Sequence, residues 1–363
     1  MGRNSSLVAL SLTLAAGSAA ADGSIGDYFS YSGFGTAAVA RTDTNQAEFI
    51  QGQQLSGATE NFDYKTDSKW GLQGTLTPTR WLSATAQVLS EQRIGPDFTT
   101  KFEWAFIKLK PLPGLSLRGG EMALPTFLVS DSRKVGYANA WIRPPDDVYG
   151  QAPFDTYKGY DVTYEHPIGP YSLTANALAG SMVANVSLGP GTQLILEGHQ
   201  TRGYNASFDM NVVTVRVGRV TTGVVGKLNN FIAFQGDWTF DSFGVSYDHG
   251  DIVAQSEFIE RRTGDAAHNV NGLYVLGGYH IGKWLPYAIY STGKQLGGGS
   301  GTVPEMNDSV VSAGIRLDWF RSVDFKAQID HVKAAANGIP FINVQPGFTG
   351  KGNVFTLAAD FVF

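Results

Sequence analysis

Between Leu124 and Thr156 the sequence reads LPTFLVSDSRKVGYANAWIRPPDDVYGQAPFDT and gathers seven charges: Asp131, Arg133, Lys134, Arg143, Asp146, Asp147 and Asp155. Four acids and three bases fixed on one segment suit the sorting of ions and polar solutes, which follows from opposed charges and the width between them. Bond-making chemistry finds less support. The six histidines, His166, His199, His249, His268, His280 and His331, fall in no HExxH or GxSxG arrangement, and no cysteine is present to act as a thiol nucleophile. His199 and His268 fall on polar segments beside acids, so a hydrolase using His with Ser or Asp stays open as an alternative, without a motif behind it. The sequence calls for no cofactor and no metal. A net charge of −5 gives no support to nucleic-acid binding.

The charged segment is not a solvated crown. Phe127, Leu128, Val129, Tyr137, Trp141, Ile142, Val148, Tyr149 and Phe154 need something to pack against, and Pro144, Pro145 and Pro153 stiffen the chain. A loop this long is uncommon unless it has a function. Either it is pinned against an inner wall, or it forms a lid that packs outside and joins neighbouring subunits.

The elements around it alternate with period two. In 69–77, Lys69, Gln73, Thr75 and Thr77 face one way and Trp70, Leu72, Gly74 and Leu76 the other. In 310–319, Ser312, Arg316 and Asp318 oppose Val311, Ala313, Ile315, Leu317 and Trp319; in 323–330, Asp324, Lys326, Gln328 and Asp330 oppose Val323, Phe325, Ala327 and Ile329. Tight turns recur at Pro78–Trp81, Pro111–Gly114, Pro167–Pro170, Met210–Val212, His249–Asp251, Ile281–Trp284 and Phe320–Ser322, with longer stretches between them. Short and long connections in alternation predict an all-β, antiparallel transmembrane barrel of sixteen strands, with fourteen or eighteen as alternatives. The strands lie at about 28–40, 66–77, 81–92, 99–110, 115–123, 157–167, 171–181, 203–210, 212–220, 240–248, 252–262, 269–280, 285–293, 308–320, 322–333 and 353–363. An even count lets both ends meet and leaves no unpaired backbone edge in lipid. The segments near 41–65, 182–202, 221–239, 294–307 and 334–351 read as external polar loops. Trp81, Tyr171, Trp284, Trp319 and Phe361 lie near the tight turns, where an aromatic girdle would sit. A soluble sandwich would show the same alternation inverted, apolar side in.

Composition agrees. The chain holds 44 Gly, 22 Phe, 15 Tyr and 7 Trp, and its mean hydropathy of −0.09 hides apolar surface in alternation. No apolar run of ~18 residues follows the first twenty, so helical spans are excluded. Arg3, the apolar run Leu7–Ala16 and the small residues Ser18–Ala21 read as a secretory signal peptide, residues 1–21, cleaved before Asp22 to leave a single barrel domain over 22–363. At the other end Phe355, Leu357, Ala359, Phe361 and Phe363 alternate with Thr356, Ala358 and Asp360 up to a terminal aromatic carboxylate.

With these termini and this hairpin rhythm, the whole mature chain resembles a general Gram-negative outer-membrane porin. The resemblance implies that Phe361 and Phe363 form the barrel-assembly signal and that Leu124–Thr156 is the third external loop, folded into the lumen. It also implies a homotrimer in outer-membrane lipid, passing small hydrophilic solutes and ions by passive diffusion. Porins oppose loop acids with wall cations. By inward parity the wall would supply Lys69, Arg93, Lys101, Glu103 and Arg118. The loop here is mixed in sign, so ion preference is open. A substrate-specific channel with saturable binding is the alternative, kept open by Tyr137, Trp141, Tyr149 and Tyr157.

Overall fold

The computed structural model describes residues 23–26, 28–95, 97–187, 192–264, 268–297, 307–334 and 340–363. The expected signal peptide and residues 298–306 of the expected loop 294–307 therefore lie outside the described residues. The alternating segments become sixteen long antiparallel strands: β1 Phe29–Thr42, β2 Lys69–Thr79, β3 Leu82–Gln92, β4 Phe98–Leu112, β5 Leu115–Ala123, β6 Thr156–Ile168, β7 Tyr171–Ser187 and β8 Gln193–Asp209, followed by β9 Val213–Leu228, β10 Phe231–His249, β11 Ile252–Arg262, β12 Val270–Tyr279, β13 Trp284–Gln295, β14 Asn307–Phe320, β15 Val323–Lys333 and β16 Lys351–Val362. Each pairs with the next, and β16 pairs with β1 through Ala358 opposite Ala38, so the sheet closes. Closure satisfies every ladder without an edge strand.

Two glycines make that seam close. A Cβ at Gly35 would stand 2.3 Å from the Phe361 ring, and one at Gly33 would stand 2.2 Å from that of Phe363. The two rings, 6.5 Å apart and nearly parallel, cover the bare glycine backbone, and the Gly33 and Phe363 backbones bond to each other at 2.8 and 2.9 Å.

The parity of the strands sets the character of the two faces. On β2 Trp70, Leu72 and Leu76 point outward and exposed while Lys69 points inward and buried; on β16 Phe355 and Leu357 are outward, Thr356 and Asp360 inward. Apolar outside and polar inside is the reverse of a soluble barrel. Trp81, Tyr171, Trp284, Trp319 and Phe361 stand exposed on the outer face close to the short turns. All seven expected tight turns are present between the strands they were expected to join. Asn211 and Gly250 take φ of 68° and 63° there, in the left-handed region that lets so few residues reverse the chain.

Two expectations fail at the opposite end. Strands 203–210, 212–220 and 240–248 prove far longer, as β8, β9 and β10; of the expected loop 182–202 the residues 182–187 and 193–202 are strand, and the stretch 221–239 is no loop but a hairpin turned on Asn229 and Asn230, with φ of 49° and 66°. There both faces carry apolar residues, Val224, Phe234, Trp238 and Phe240 inside and Ile232 outside, so the polar/apolar alternation fades. The stretches 41–65 and 334–351 are not simply polar either. Glu48–Phe49 pairs with Phe341–Ile342, and Ala47, Phe49, Phe341 and Phe348 are buried with Val332 and Val354.

Candidate functional site

The segment from Leu124 to Asp155 leaves β5 and returns to β6, its two ends joined by the Leu124 N–H donating to the Asp155 carbonyl at 2.9 Å. Between them it crosses the barrel interior and bonds to inward side chains of distant strands. The Leu128 N–H and the Tyr149 hydroxyl both donate to Glu257 on β11, at 3.1 Å each. Ser291 on β13 donates to Asp147 at 2.5 Å. Lys326 on β15 donates to the carbonyls of Gly136 and Trp141, and Arg316 on β14 to those of Tyr137 and Asn139. The apolar residues that needed a surface find it on the wall and on one another: Trp141 lies edge-on to the wall residue Tyr274 at 5.6 Å, and Phe127 packs within the loop on Tyr149 at 4.5 Å. Burying each such ring is worth about 1.5–3 kcal/mol, so the loop is held by packing as well as by polar bonds.

Arg143 is the tether with the most partners. Its guanidinium takes Asp67 in a two-point grip at 2.9 and 2.5 Å, bonds to Asp330 on β15 and to Thr356 on β16, and lies 5.0 Å over the Phe49 ring. Desolvation works against its charge, but Asp67 and Asp330 outweigh it and hold its pKa above the ordinary arginine range.

Four of the remaining loop charges meet wall charges across a cavity of about 1170 Å³. From the wall come Lys69, Glu91, Arg93 and Lys101; from the loop, Arg133, Lys134, Asp146 and Asp155. Arg93 pairs with Glu91 at 2.7 Å, with Glu103 at 2.9 Å and with Asp155 at 3.7 Å. Lys134 reaches Glu91 at 2.9 Å, Lys101 reaches Glu103 at 3.5 Å, and Arg133 pairs with Asp155. The result is one network that runs from wall to loop. Burial disfavours the Asp155 anion, yet Arg133, Lys134 and Arg93 overcome it and keep this carboxyl well below the usual range. Asp146 behaves oppositely. Burial pushes its carboxyl up to about 7, with Asp147 adding to the rise and the Gly52 N–H, at 3.4 Å, opposing it.

Five of the twelve expected charges do not line the cavity, among them Glu103, which is buried against Arg93 and Lys101. Arg143 and Asp147 are enclosed, the first among carboxylates and the second against Ser291, where burial raises its pKa. Asp131 is raised chiefly by desolvation, opposed by Arg118 and Arg216, and does not line the cavity. Arg118 is engaged by Asp161 through Nε at 3.0 Å and NH2 at 2.6 Å, and Tyr157 donates to the same carboxylate. The far side of the cavity is different in kind. Val186, Leu194, Phe234, Trp238 and Arg261, from β7, β8, β10 and β11, line it.

No protein-family model matches the sequence, and no curated protein matches it. Solved structures do match. The anion-selective porin from Comamonas acidovorans aligns with a TM-score of 0.61 and 12% identity, over 92% of this chain and 99% of that one. OmpF of Salmonella typhi in complex with daunomycin gives 0.60 at 14% identity, over 92% and 97%. The outer membrane channel DcaP of Acinetobacter baumannii gives 0.57 at 8% identity, again over 92% and 97%. This chain has the barrel fold of the outer-membrane porins.

Within this porin barrel, sequence reasoning missed Asp67, Glu91 and Arg261 as site residues. Glu91 was within reach: it sits directly across from Lys69 in the β2–β3 ladder, so the inward parity assigned to Lys69 carries to it. Arg261 had no such signal, because its neighbours Phe234 and Trp238 fell in a stretch read as a loop.

Proposed function

We propose that the protein is an outer-membrane channel through which small hydrophilic solutes and ions diffuse passively, and that no residue in it performs bond chemistry. The observation that carries this reading is the charged loop tethered across the interior of a closed barrel whose outer face is apolar. Arg133, Lys134, Asp146 and Asp155 act from the loop and Lys69, Glu91, Arg93 and Lys101 from the wall, so that a solute crosses between opposed charges. Arg143, Asp147, Asp131, Glu103 and Arg118 serve by holding the loop and wall in place. The chain is exported with residues 1–21 removed, and Phe361 and Phe363, seated over Gly35 and Gly33, complete barrel assembly in the outer membrane. Three copies then form a homotrimer. Swelling of liposomes carrying the refolded protein tests permeation. Small neutral sugars should swell them at rates that fall steeply with solute size; rates equal to protein-free liposomes for every solute would refute the proposal.

A second reading, a substrate-specific channel with saturable binding, draws support from the half-buried Val186, Leu194 and Trp238 and the more exposed Phe234 on one side of the cavity, surfaces that a purely diffusive water path has no use for.

A further inference from the structure

We propose that the cavity binds a small amphipathic anion, an aromatic carboxylate, with its ring on Phe234 and Trp238 and its carboxylate on Arg261. The inference rests on the channel reading and names the solute class for that same cavity. Phe234 and Trp238 stack in parallel at 6.3 Å with an interplanar angle of 4°, and Phe154 of the crossing loop closes edge-on against Trp238 at 6.3 Å. Phe234 keeps 38% of its surface exposed although it faces inward, toward the cavity. An apolar patch left open inside an otherwise charged lumen is a surface waiting for an apolar partner.

The charge that lies over one ring of the pair is a cation. Arg261 lies over the Trp238 ring at 5.6 Å. Its hydrogen bonds among the described residues go to two carbonyls, of Gln151 at 3.2 Å and His268 at 3.3 Å, and its buried Nε has no acceptor there. No carboxylate of the described residues pairs with it. Arg93, Arg133 and Lys134, by contrast, each already hold a carboxylate. Among the described residues Lys69 also lines the cavity without a carboxylate in ion-pair range, but Arg261 is the one of the two that stands against the aromatic pair, so a carboxylate placed there meets cation and ring together. A ligand satisfying both must carry a flat apolar body and a carboxylate within a few bonds of it.

The test uses phenylacetate against three controls: acetate (charge without ring), benzyl alcohol (ring without charge) and benzylamine (opposite charge). Block of the ion current in a planar bilayer is read together with quenching of tryptophan fluorescence in the detergent-refolded barrel. Saturable block by phenylacetate, at least about tenfold tighter than by any control, is expected, and Arg261→Gln and Phe234→Ala should each weaken it about tenfold, read as the blocking constant relative to each variant's own unblocked current. Phenylacetate no tighter than acetate or benzyl alcohol overturns the proposal while the ion current keeps the channel reading intact. Equal affinity for benzylamine overturns it as well, by making the site a cation site. If no current is seen, the channel reading fails, and the fluorescence titration with Arg261→Gln decides the binding site by itself.

Discussion

Replacing Arg143 by Met removes the cation and keeps most of the side-chain volume. Asp67 and Asp330 are then left as buried carboxylates without a counter-ion, and Thr356 loses its partner. Breaking a buried pair from one side costs about 3–5 kcal/mol. That cost falls on the loop, because Arg143 belongs to the loop while both acids and Thr356 belong to the surrounding wall and the 43–68 segment. At 1.4 kcal/mol per tenfold, opening of the loop should become easier by roughly two to three and a half orders of magnitude. Amide hydrogen exchange reads this directly at Ile142, whose N–H donates to Gln328 at 3.1 Å. Its exchange should accelerate by roughly that factor, while amides in the β11–β12 ladder change little, and single-channel current should become noisier. Adding Asp67→Asn and Asp330→Asn should recover part of the protection by removing the stranded charges. Unchanged exchange at Ile142 with unchanged current noise would refute the claim that Arg143 tethers the loop.

Other consequences are as direct. Because burial raises the Asp146 carboxyl to about 7, it gains charge between pH 6 and 8, so anion preference should decline over that interval. Asp146→Asn should flatten the dependence in reversal-potential measurements. The same sign applies to stability: a carboxyl that titrates higher in the folded state than in the unfolded chain favours folding in acid, and that advantage is lost as pH rises from about 4 through 7. An unfolding midpoint rising over that range in the wild type, and not in Asp146→Asn, would contradict it. Arg133→Gln with Lys134→Gln should shift selectivity toward cations, since Asp155 and Glu91 lose their loop partners. Gly35→Ala should cost about 1–3 kcal/mol in a urea unfolding series, because the new Cβ meets the Phe361 ring at 2.3 Å. Adding Phe361→Ala should return part of that loss.

Much of the fold was legible because each outward face is apolar and each inward face polar, so period two identifies strands and their sides together. Lys69 and Trp70, or Asp360 and Phe361, settle the matter in adjacent residues. That signal fails where the inner face is also apolar, in β8 to β10, and there the sequence reading stopped each strand short. Within the site, parity identified charges that point inward but not which of them are already paired. Arg143 reads like Arg133 in the sequence; only the tertiary approach of Asp67 and Asp330, from opposite sides along the chain, makes one an anchor and leaves the other at the cavity. The apolar segments 47–50 and 341–348 are hard to read for a related reason: they bury themselves against each other and against Val332 and Val354 of the barrel, a meeting of distant stretches that periodicity does not show.

The central claim, a barrel that conducts across a membrane past a tethered charged loop, is tested most directly by the ion current through the purified protein in a planar bilayer under a salt gradient. Stepwise ohmic openings are predicted, in triplets for the trimer, with a reversal potential that moves toward anions in Asp146→Asn and toward cations in Arg133→Gln with Lys134→Gln. Protein with verified β structure that inserts without conducting, or conducts with a reversal potential indifferent to all three substitutions, would contradict it.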